Sequence, residues 1–303
     1  MTAPVVLSGA TGLLGRGLAA ALARDGAAVR ALSRNPERAA AGLPSGVEPV
    51  WWDGISIPGA ALRGARAVVH LAGEPLFGGL PSRARLRRIR SSRVDSTLAI
   101  ARQLAALAPG EGPASFVCAS AVGIYGDAGE RELAEDAPPG RGFVAELCAD
   151  WESAARSAQP ARVVSLRLGI VLSREGGALP LMARPFRIGV GGRLGSGRQW
   201  VPWIHREDAI ALLRLALENE AIRGPLNAVS PGAVRNAELS AALARVLGRP
   251  ALLPVPALAL RLALRELSGE LLDSRRVVPR AAQAAGHRFA FPDLESALRA
   301  ELG

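Results

Sequence analysis

Val5-Val6-Leu7-Ser8-Gly9-Ala10-Thr11-Gly12-Leu13-Leu14-Gly15 decides how this chain folds. A short β-favouring run leads into three glycines spaced three apart, and an Ala/Leu-rich stretch with helical character follows from Leu13 to about Arg24. The segment therefore reads as a strand, a tight turn and a helix N-terminus. Gly9 lets the chain leave the strand sharply, Gly12 removes a Cβ so that a pyrophosphate can approach the backbone, and Gly15 lets the helix pack close to the strand. The N–H groups of the first helical turn, around Thr11, Leu13 and Leu14, face outward with the helix dipole behind them, which suits a diphosphate. The spacing is Gly-x-x-Gly-x-x-Gly rather than the commoner fingerprint, so the strand before and the helix after it carry the assignment.

The second half of a dinucleotide site falls about 20 residues further on, at the end of the next strand. That strand, Ala28 to Leu32, runs into Ser33-Arg34-Asn35-Pro36, with Arg38 close behind and no carboxylate before Glu37. NAD sites place an acid there for the ribose 2′-hydroxyl, whereas a guanidinium suits a 2′-phosphate. Ser33 and Arg34 thus point to NADP over NAD, against the alternative that Arg34 is one more solvated arginine.

Composition sets the outer limits. A chain of 303 residues with 49% hydrophobic content can bury a sizeable core as one large α/β domain or two smaller ones. No apolar run reaches the length of about 18 residues that a membrane span needs. The N-terminus enters the first strand without a basic n-region or cleavage site, which favours the cytoplasm. Cys118 and Cys148 lack metal-ligand spacing and are expected to be reduced, buried thiols, and no metal site is expected. The net charge of +10 comes from 37 basic residues that are all arginine, and no nucleic-acid recognition module accompanies them, so nucleic acid is not an expected partner. The densest run, Ser82 to Arg93, leads into a helix expected to continue to about Leu107, with Leu86, Ile89, Val94 and Leu98 on its buried side and most of its arginines solvated.

Strand and helix signals alternate from Val5 to Leu168, which predicts a doubly wound parallel sheet covered on both faces. Val47 to Asp53 reads as a third strand ending in Trp52 and Asp53, which either border an adenine or form part of a half-buried tryptophan pair. Ala67 to Glu74 reads as a strand buried on both faces, its Leu71-Ala72-Gly73 end bringing bare backbone beside a ribose, with His70 a satisfied core residue. Pro109 to Pro113 breaks the following helix, and Ser115 to Ser120 is the fifth strand. From Gly169 the pattern loosens into glycine-punctuated chain holding Gln199 to His205, as expected of a substrate lobe over the strand ends. Helices are expected at 207–219, 236–247, 257–267 and 292–302. The expected organisation is a nucleotide-binding domain over 1–172 and a smaller mixed substrate lobe with a helical extension over 173–303, packed as one unit.

These motifs together resemble the extended short-chain dehydrogenase/reductase superfamily. Gly9 to Gly15, Val68 to Gly73, Ala119-Ser120-Ala121-Val122-Gly123-Ile124-Tyr125-Gly126 and Trp203 to Ala209 occur in its order. The finer similarity is to its atypical branch, the YfcH-type epimerase family proteins, carried by Glu146 to Glu152, Gly195 to Trp200, Pro225-Leu226-Asn227, Ser230-Pro231 and the C-terminal extension. The resemblance implies a Rossmann-like fold and an NADP(H) site, and it adds Leu71, Ala72, Gly73, Glu74, Arg93, Ala119, Ser120, Arg167 and Gly169 to the expected cofactor contacts.

The departure from the superfamily is chemical. Its enzymes use a serine and a tyrosine followed four residues later by a lysine that depresses the phenol's pKa. This chain has no lysine, its one tyrosine, Tyr125, lies elsewhere, and the relay positions read Phe143 or Val144 with Leu147 or Cys148. The serine position reads Ala121 beside Ser120. Candidate replacements are Glu74, Cys148, His205 and Ser120. Glu74 can titrate beside a nicotinamide or bind a ribose hydroxyl or backbone amides. Cys148 is a thiolate nucleophile only if its pKa is lowered. His205 contacts substrate or makes a structural hydrogen bond. Arg167 and Arg198 could hold an anionic group. Two functions stay open: an NADP(H)-dependent oxidoreductase or epimerase-like enzyme for a small carbonyl or sugar-nucleotide substrate, with or without an anionic group, and a non-catalytic NADPH sensor. Monomer and homodimer both fit.

Overall fold

The computed structural model describes residues 3–79, 81–108, 110–159 and 161–303, so Pro109 of the expected helix break lies outside the described residues. The first half builds β1 (Val5–Ser8), α1 (Leu13–Arg24), β2 (Val29–Ser33), α2 (Pro36–Ala40), β3 (Val47–Trp51), α3 (Gly59–Leu62), β4 (Ala67–His70), α4 (Arg83–Ser91), α5 (Val94–Ala105) and β5 (Ser115–Ala121). Then come the short β6 (Glu132–Leu133), α6 (Phe143–Arg156), β7 (Arg162–Leu168), β8 (Ile170–Leu172), α7 (Leu179–Arg187), β9 (Trp200–Val201), β10 (Trp203–His205), α8 (Arg206–Glu218) and β11 (Gly224–Ala228). The chain ends through β12 (Val234–Arg235), α9 (Asn236–Leu247), α10 (Ala257–Leu264), α11 (Gly269–Leu272), β13 (Arg276–Val277), α12 (Arg280–Ala284) and α13 (Leu294–Leu302).

Seven strands form one parallel sheet in the order β11-β7-β5-β4-β1-β2-β3. Strand β1 lies inside it, pairing with β2 on one side and β4 on the other, and all four of its residues are buried. Alternate side chains reach opposite faces. Val5 and Leu7 pack with Leu18 and Leu22 of α1 and Leu212 and Leu213 of α8, while Val6 packs with Val68, Phe116, Ile100 of α5 and Trp151 of α6. Two covered faces explain why these strands are apolar throughout rather than alternating. The chain reverses direction across the sheet between β1 and β4, and in such folds ligands bind at that crevice beyond the strand C-termini.

The sheet takes its edge strand β11 and the covering helix α8 from beyond residue 172. The rest of that region is mixed, with β8–β10 parallel, β9–β12 antiparallel and β6–β13 parallel. A separate apolar cluster joins Trp203, Leu239, Leu243 and Leu298. The β6–β13 pairing returns the tail to the mouth of the sheet, where Leu267 and Val277 pack with Val122, Tyr125 and Leu147.

Two local expectations change. The arginine-rich helix breaks into α4 and α5 at Ser92 and Arg93. There the Ser92 hydroxyl accepts from Glu74 N and donates to Ile89 O, and Arg93 Nη1 donates to Glu74 O at 2.8 Å, so side chains compete with the helical ladder. Leu86, Val94 and Leu98 are consequently only half-buried, while Ser96, Thr97 and Ile100 face the core. The tryptophan pair splits into an exposed Trp51 and a buried Trp52, because β3 ends at Trp51. Among the described residues no helix is long and apolar enough to cross a membrane.

Candidate functional site

A cavity of about 430 Å³ opens at the C-terminal ends of β1, β4, β5 and β7. One end is bounded by Leu13 and Leu14, the middle by Leu71, Ala72, Gly73 and Arg93, and the far end by Ala119, Ser120, Ala121, Leu168, Gly169 and Ile170. Val144 and Cys148 of α6 and Glu270, Asp273 and Arg275 of the tail complete the wall.

The first turn has the form that a diphosphate requires. Gly9 has φ +72°, and a Cβ there would stand 2.8 Å from Ala72 N; one on Gly15 would stand 2.1 Å from Gly9 O. No side chain caps Gly12 at the start of α1 and no acid occupies the first turn, so the positive end of the dipole is not offset by the protein's own charge. Thr11 and Gly12 lie exposed beside it. The residues present therefore fit a dinucleotide on steric and electrostatic grounds.

Beyond β2, Arg34 is exposed, and among the described residues it makes no ion pair. The Ser33 hydroxyl donates to Asn35 O, shaping the turn, and Asn35 caps α2. Asp53 is engaged locally, its Oδ1 accepting from Ile55 N and Ser56 N at 2.7 Å. Trp52 lies under the surface with Nε1 buried and unpartnered, its ring edge-on to His70 at 6.1 Å. His70 is a satisfied core residue: Nδ1 lies 2.6 Å from Ser8 Oγ, Nε2 lies 3.1 Å from Ser96 Oγ, and burial lowers its pKa to about 4.

Three candidate side chains are held by their surroundings. Arg167 faces away from the cavity into a buried network, giving Nε and Nη2 to the two Glu152 oxygens at 2.8 and 2.9 Å and Nη1 to Tyr125 Oη and Glu135 O. Burial opposes its charge, but Glu152 and Tyr125 more than offset that and hold its pKa above the ordinary value. With its donors spent, it is a structural cation rather than a cofactor contact. Ser120, although it lines the cavity, donates its hydroxyl to Glu152 at 2.8 Å. Cys148 is no thiolate: burial, reinforced by the Glu270 and Glu152 carboxylates, pushes its thiol up to about 12, and Cys118 is likewise buried and free.

His205 is likewise absent from the cavity lining. Its Nδ1 accepts from Glu207 N to cap α8, its Nε2 lies 3.0 Å from Glu301 Oε1, and its ring stacks on Phe291 at 3.7 Å. Of its two readings, the structural hydrogen bond is the one observed. Glu74 does line the cavity, with Arg85 Nη1 3.7 Å from its carboxylate. Arg93 lines it too, with its guanidinium over the Trp151 ring at 5.3 Å; burial lowers its pKa, and no carboxylate of the described residues pairs with it.

Of the α6 alternatives for the missing relay, Leu147 lines the cavity and Phe143 is absent from its lining. Val144 and Cys148, one helical turn apart, both face the cavity. The sequence reading missed Glu152 and the tail residues Glu270, Asp273 and Arg275. For Glu152 a signal existed: it lies on the same four-residue stripe as Val144 and Cys148, and a carboxylate on a buried stripe demands a cation.

Comparison with known proteins agrees with this architecture. Residues 5–228 match the NAD dependent epimerase/dehydratase family, and residues 255–301 match a domain of unknown function, DUF1731. The chain is 38% identical to the epimerase family protein SDR39U1 of Bos taurus, covering 97% of this chain and 98% of that one. It is 39% identical to the epimerase family protein Mb2239 of Mycobacterium bovis, covering 95% and 93%. The crystal structure of human epimerase family protein SDR39U1 (isoform2) with NADPH superposes with a TM-score of 0.86 at 33% identity, covering 98% of each chain. Sheet order, first turn and C-terminal domain thus converge, and the chain belongs to the NAD dependent epimerase/dehydratase family.

Proposed function

We propose that the chain binds NADP(H) and acts as an oxidoreductase or nucleotide-sugar-epimerase-like enzyme on a small carbonyl or sugar-nucleotide substrate, without the Ser/Tyr/Lys relay. The observation that carries this reading is the Gly9 to Gly15 turn, closed against Leu71 and Ala72 at the head of the cavity, with the unpaired Arg34 beyond it. The amides at the start of α1 hold the diphosphate, and Arg34 together with the Ser33 turn meets the 2′-phosphate. The diphosphate at β1 directs the adenosine toward β2 and β3, so the nicotinamide ribose and ring run along Leu71 to Glu74 toward Ala119, Ser120 and Gly169. Bound there, the nicotinamide supplies or takes up a hydride. The NADPH in the human relative's structure supports the choice of nucleotide. Arg93, half-buried at the cavity edge and in no ion pair with a described carboxylate, suits an anionic group on the cofactor or substrate.

A second reading, a non-catalytic NADPH sensor, is favoured by one observation: the α6 residues lining the cavity are Val144, Leu147, Trp151 and a protonated Cys148. Following the absorbance of bound NADPH while a panel of carbonyl compounds is added separates the two. Oxidation supports the enzyme, and tight binding without oxidation of any compound supports the sensor. The proposed setting is the cytoplasm, as a monomer or homodimer, with small molecules as ligands.

A further inference from the structure

The α6 wall of the cavity lacks the superfamily's phenol. α6 offers no proton carrier: Val144 is aliphatic and the Cys148 thiol stays protonated. The Ser120 hydroxyl is committed to Glu152. Among the described residues three carboxylates line the cavity, Glu74, Glu270 and Asp273. Glu74 is about one-third exposed, beside Arg85, at the rim. Asp273 accepts from Arg275 Nη2 at 2.9 Å and packs against Gly269.

Glu270 is placed differently. A Cβ on Gly123 would lie 3.0 Å from Glu270 Oε1 and 2.6 Å from Val144 Cγ1, so the missing side chain at 123 is the notch in which the carboxylate meets α6. Its Oε1 is shielded from solvent and accepts no hydrogen bond, although Arg275 Nη2 stands 3.0 Å away. The charged and titratable groups around it are Arg275 and Asp273 from the tail, Arg93 at the start of α5 and Cys148 from α6. A nucleotide whose diphosphate lies at Leu13 and Leu14 puts its ring at this end of the cavity, because the strand order reverses between β1 and β4.

Resting on the nucleotide reading above, we propose that Glu270, carried in by the C-terminal tail, is the proton-holding group of this cavity, meeting Val144 in the Gly123 notch in place of the phenol that α6 lacks. Its carboxylate takes the proton of a ligand hydroxyl as that oxygen becomes a carbonyl oxygen, while the carbon-bound hydrogen leaves with its electron pair to the oxidised nicotinamide nucleotide. In the reverse direction Glu270 returns the proton to the carbonyl oxygen as the carbon receives hydride.

The test needs no substrate, because a carboxylate beside the ring favours the positively charged oxidised nicotinamide over the neutral reduced one. Calorimetric titration of NADP+ and NADPH into the full chain at pH 7.5 compares the wild type with Glu270→Gln and Glu74→Gln. For Glu270→Gln the expectation is about fivefold to tenfold weaker NADP+ binding at pH 7.5, with NADPH changed by less than about twofold. Glu74→Gln reads the competing assignment, because a larger change of the ratio there than in Glu270→Gln would give the role to the other cavity carboxylate. Should Glu270→Gln fold poorly, Glu270→Asp keeps the charge at a shorter reach and should retain part of the NADP+ preference. Equal weakening of both nucleotides, no change in either, or a ratio set by Glu74 overturns the assignment. Absence of NADPH binding by the wild type is a separate result, which overturns the nucleotide reading and this assignment with it.

Discussion

At the phosphate end of the cavity, one continuous segment from Val5 to Gly15 supplies strand, turn and helix start, and its shape follows from local sterics. At the ring end, the wall is assembled from β5, α6 and a tail segment around residue 270, brought together by the β6–β13 pairing. The first kind of site is tied to backbone geometry and tolerates little change. The second depends on distant side chains, so its chemistry can be exchanged while the sheet remains. Family membership and an unusual proton carrier are therefore compatible in one chain.

Breaking the floor of the ring end should have the largest effect. Arg167→Leu leaves Glu152 buried without its cation and should cost about 3–5 kcal/mol in urea denaturation, whereas adding Glu152→Leu should restore much of it. Little loss in the single variant would show that the network does not support that wall. Next comes the pH dependence of His70, below the end of β4. Its folded pKa of about 4 lies under its unfolded value of about 6.5, so the unfolded chain binds the extra proton first. The stability this neutral histidine contributes is complete above about pH 6.5 and is lost as pH falls toward about 4, amounting to about 3 kcal/mol. Denaturation midpoints between pH 7 and pH 4 should fall less steeply for His70→Gln than for the wild type. An equal slope would place the titration elsewhere. At the phosphate end, Gly15→Ala drives a Cβ against Gly9 O and should cost about 1–3 kcal/mol, with loss of NADPH binding at micromolar concentrations. Unchanged binding would mean that the close approach of α1 to the turn is not needed.

The alternation of strands and helices and the first turn were legible because both are local: apolar runs, glycine spacing and Ala/Leu periodicity sit within short windows. His70 was legible as a core residue from its place in a strand buried on both faces. The helix break at Arg93 was not, because its cause is a hydrogen bond to Glu74 O that only the folded chain forms. Arg167 was taken for a cofactor contact because nothing near it in sequence shows its partner; Glu152 comes from another element, fifteen positions earlier. Glu270 escaped for the same reason. It lies in the single helical turn α11 between Ser268 and Asp273, and its position depends on where residues 276–277 pair. His205 was read as evenly balanced, and only the Phe291 ring and Glu301 decide between its alternatives.

The most direct test of the central claim is a calorimetric titration of NADPH and NADH into the wild type and Arg34→Glu at physiological salt. The account predicts that NADPH binds the wild type more tightly than NADH, and that charge reversal weakens NADPH at least about tenfold, about 1.4 kcal/mol, while leaving NADH nearly unchanged. No heat with NADPH, or an NADPH affinity indifferent to position 34, would contradict it.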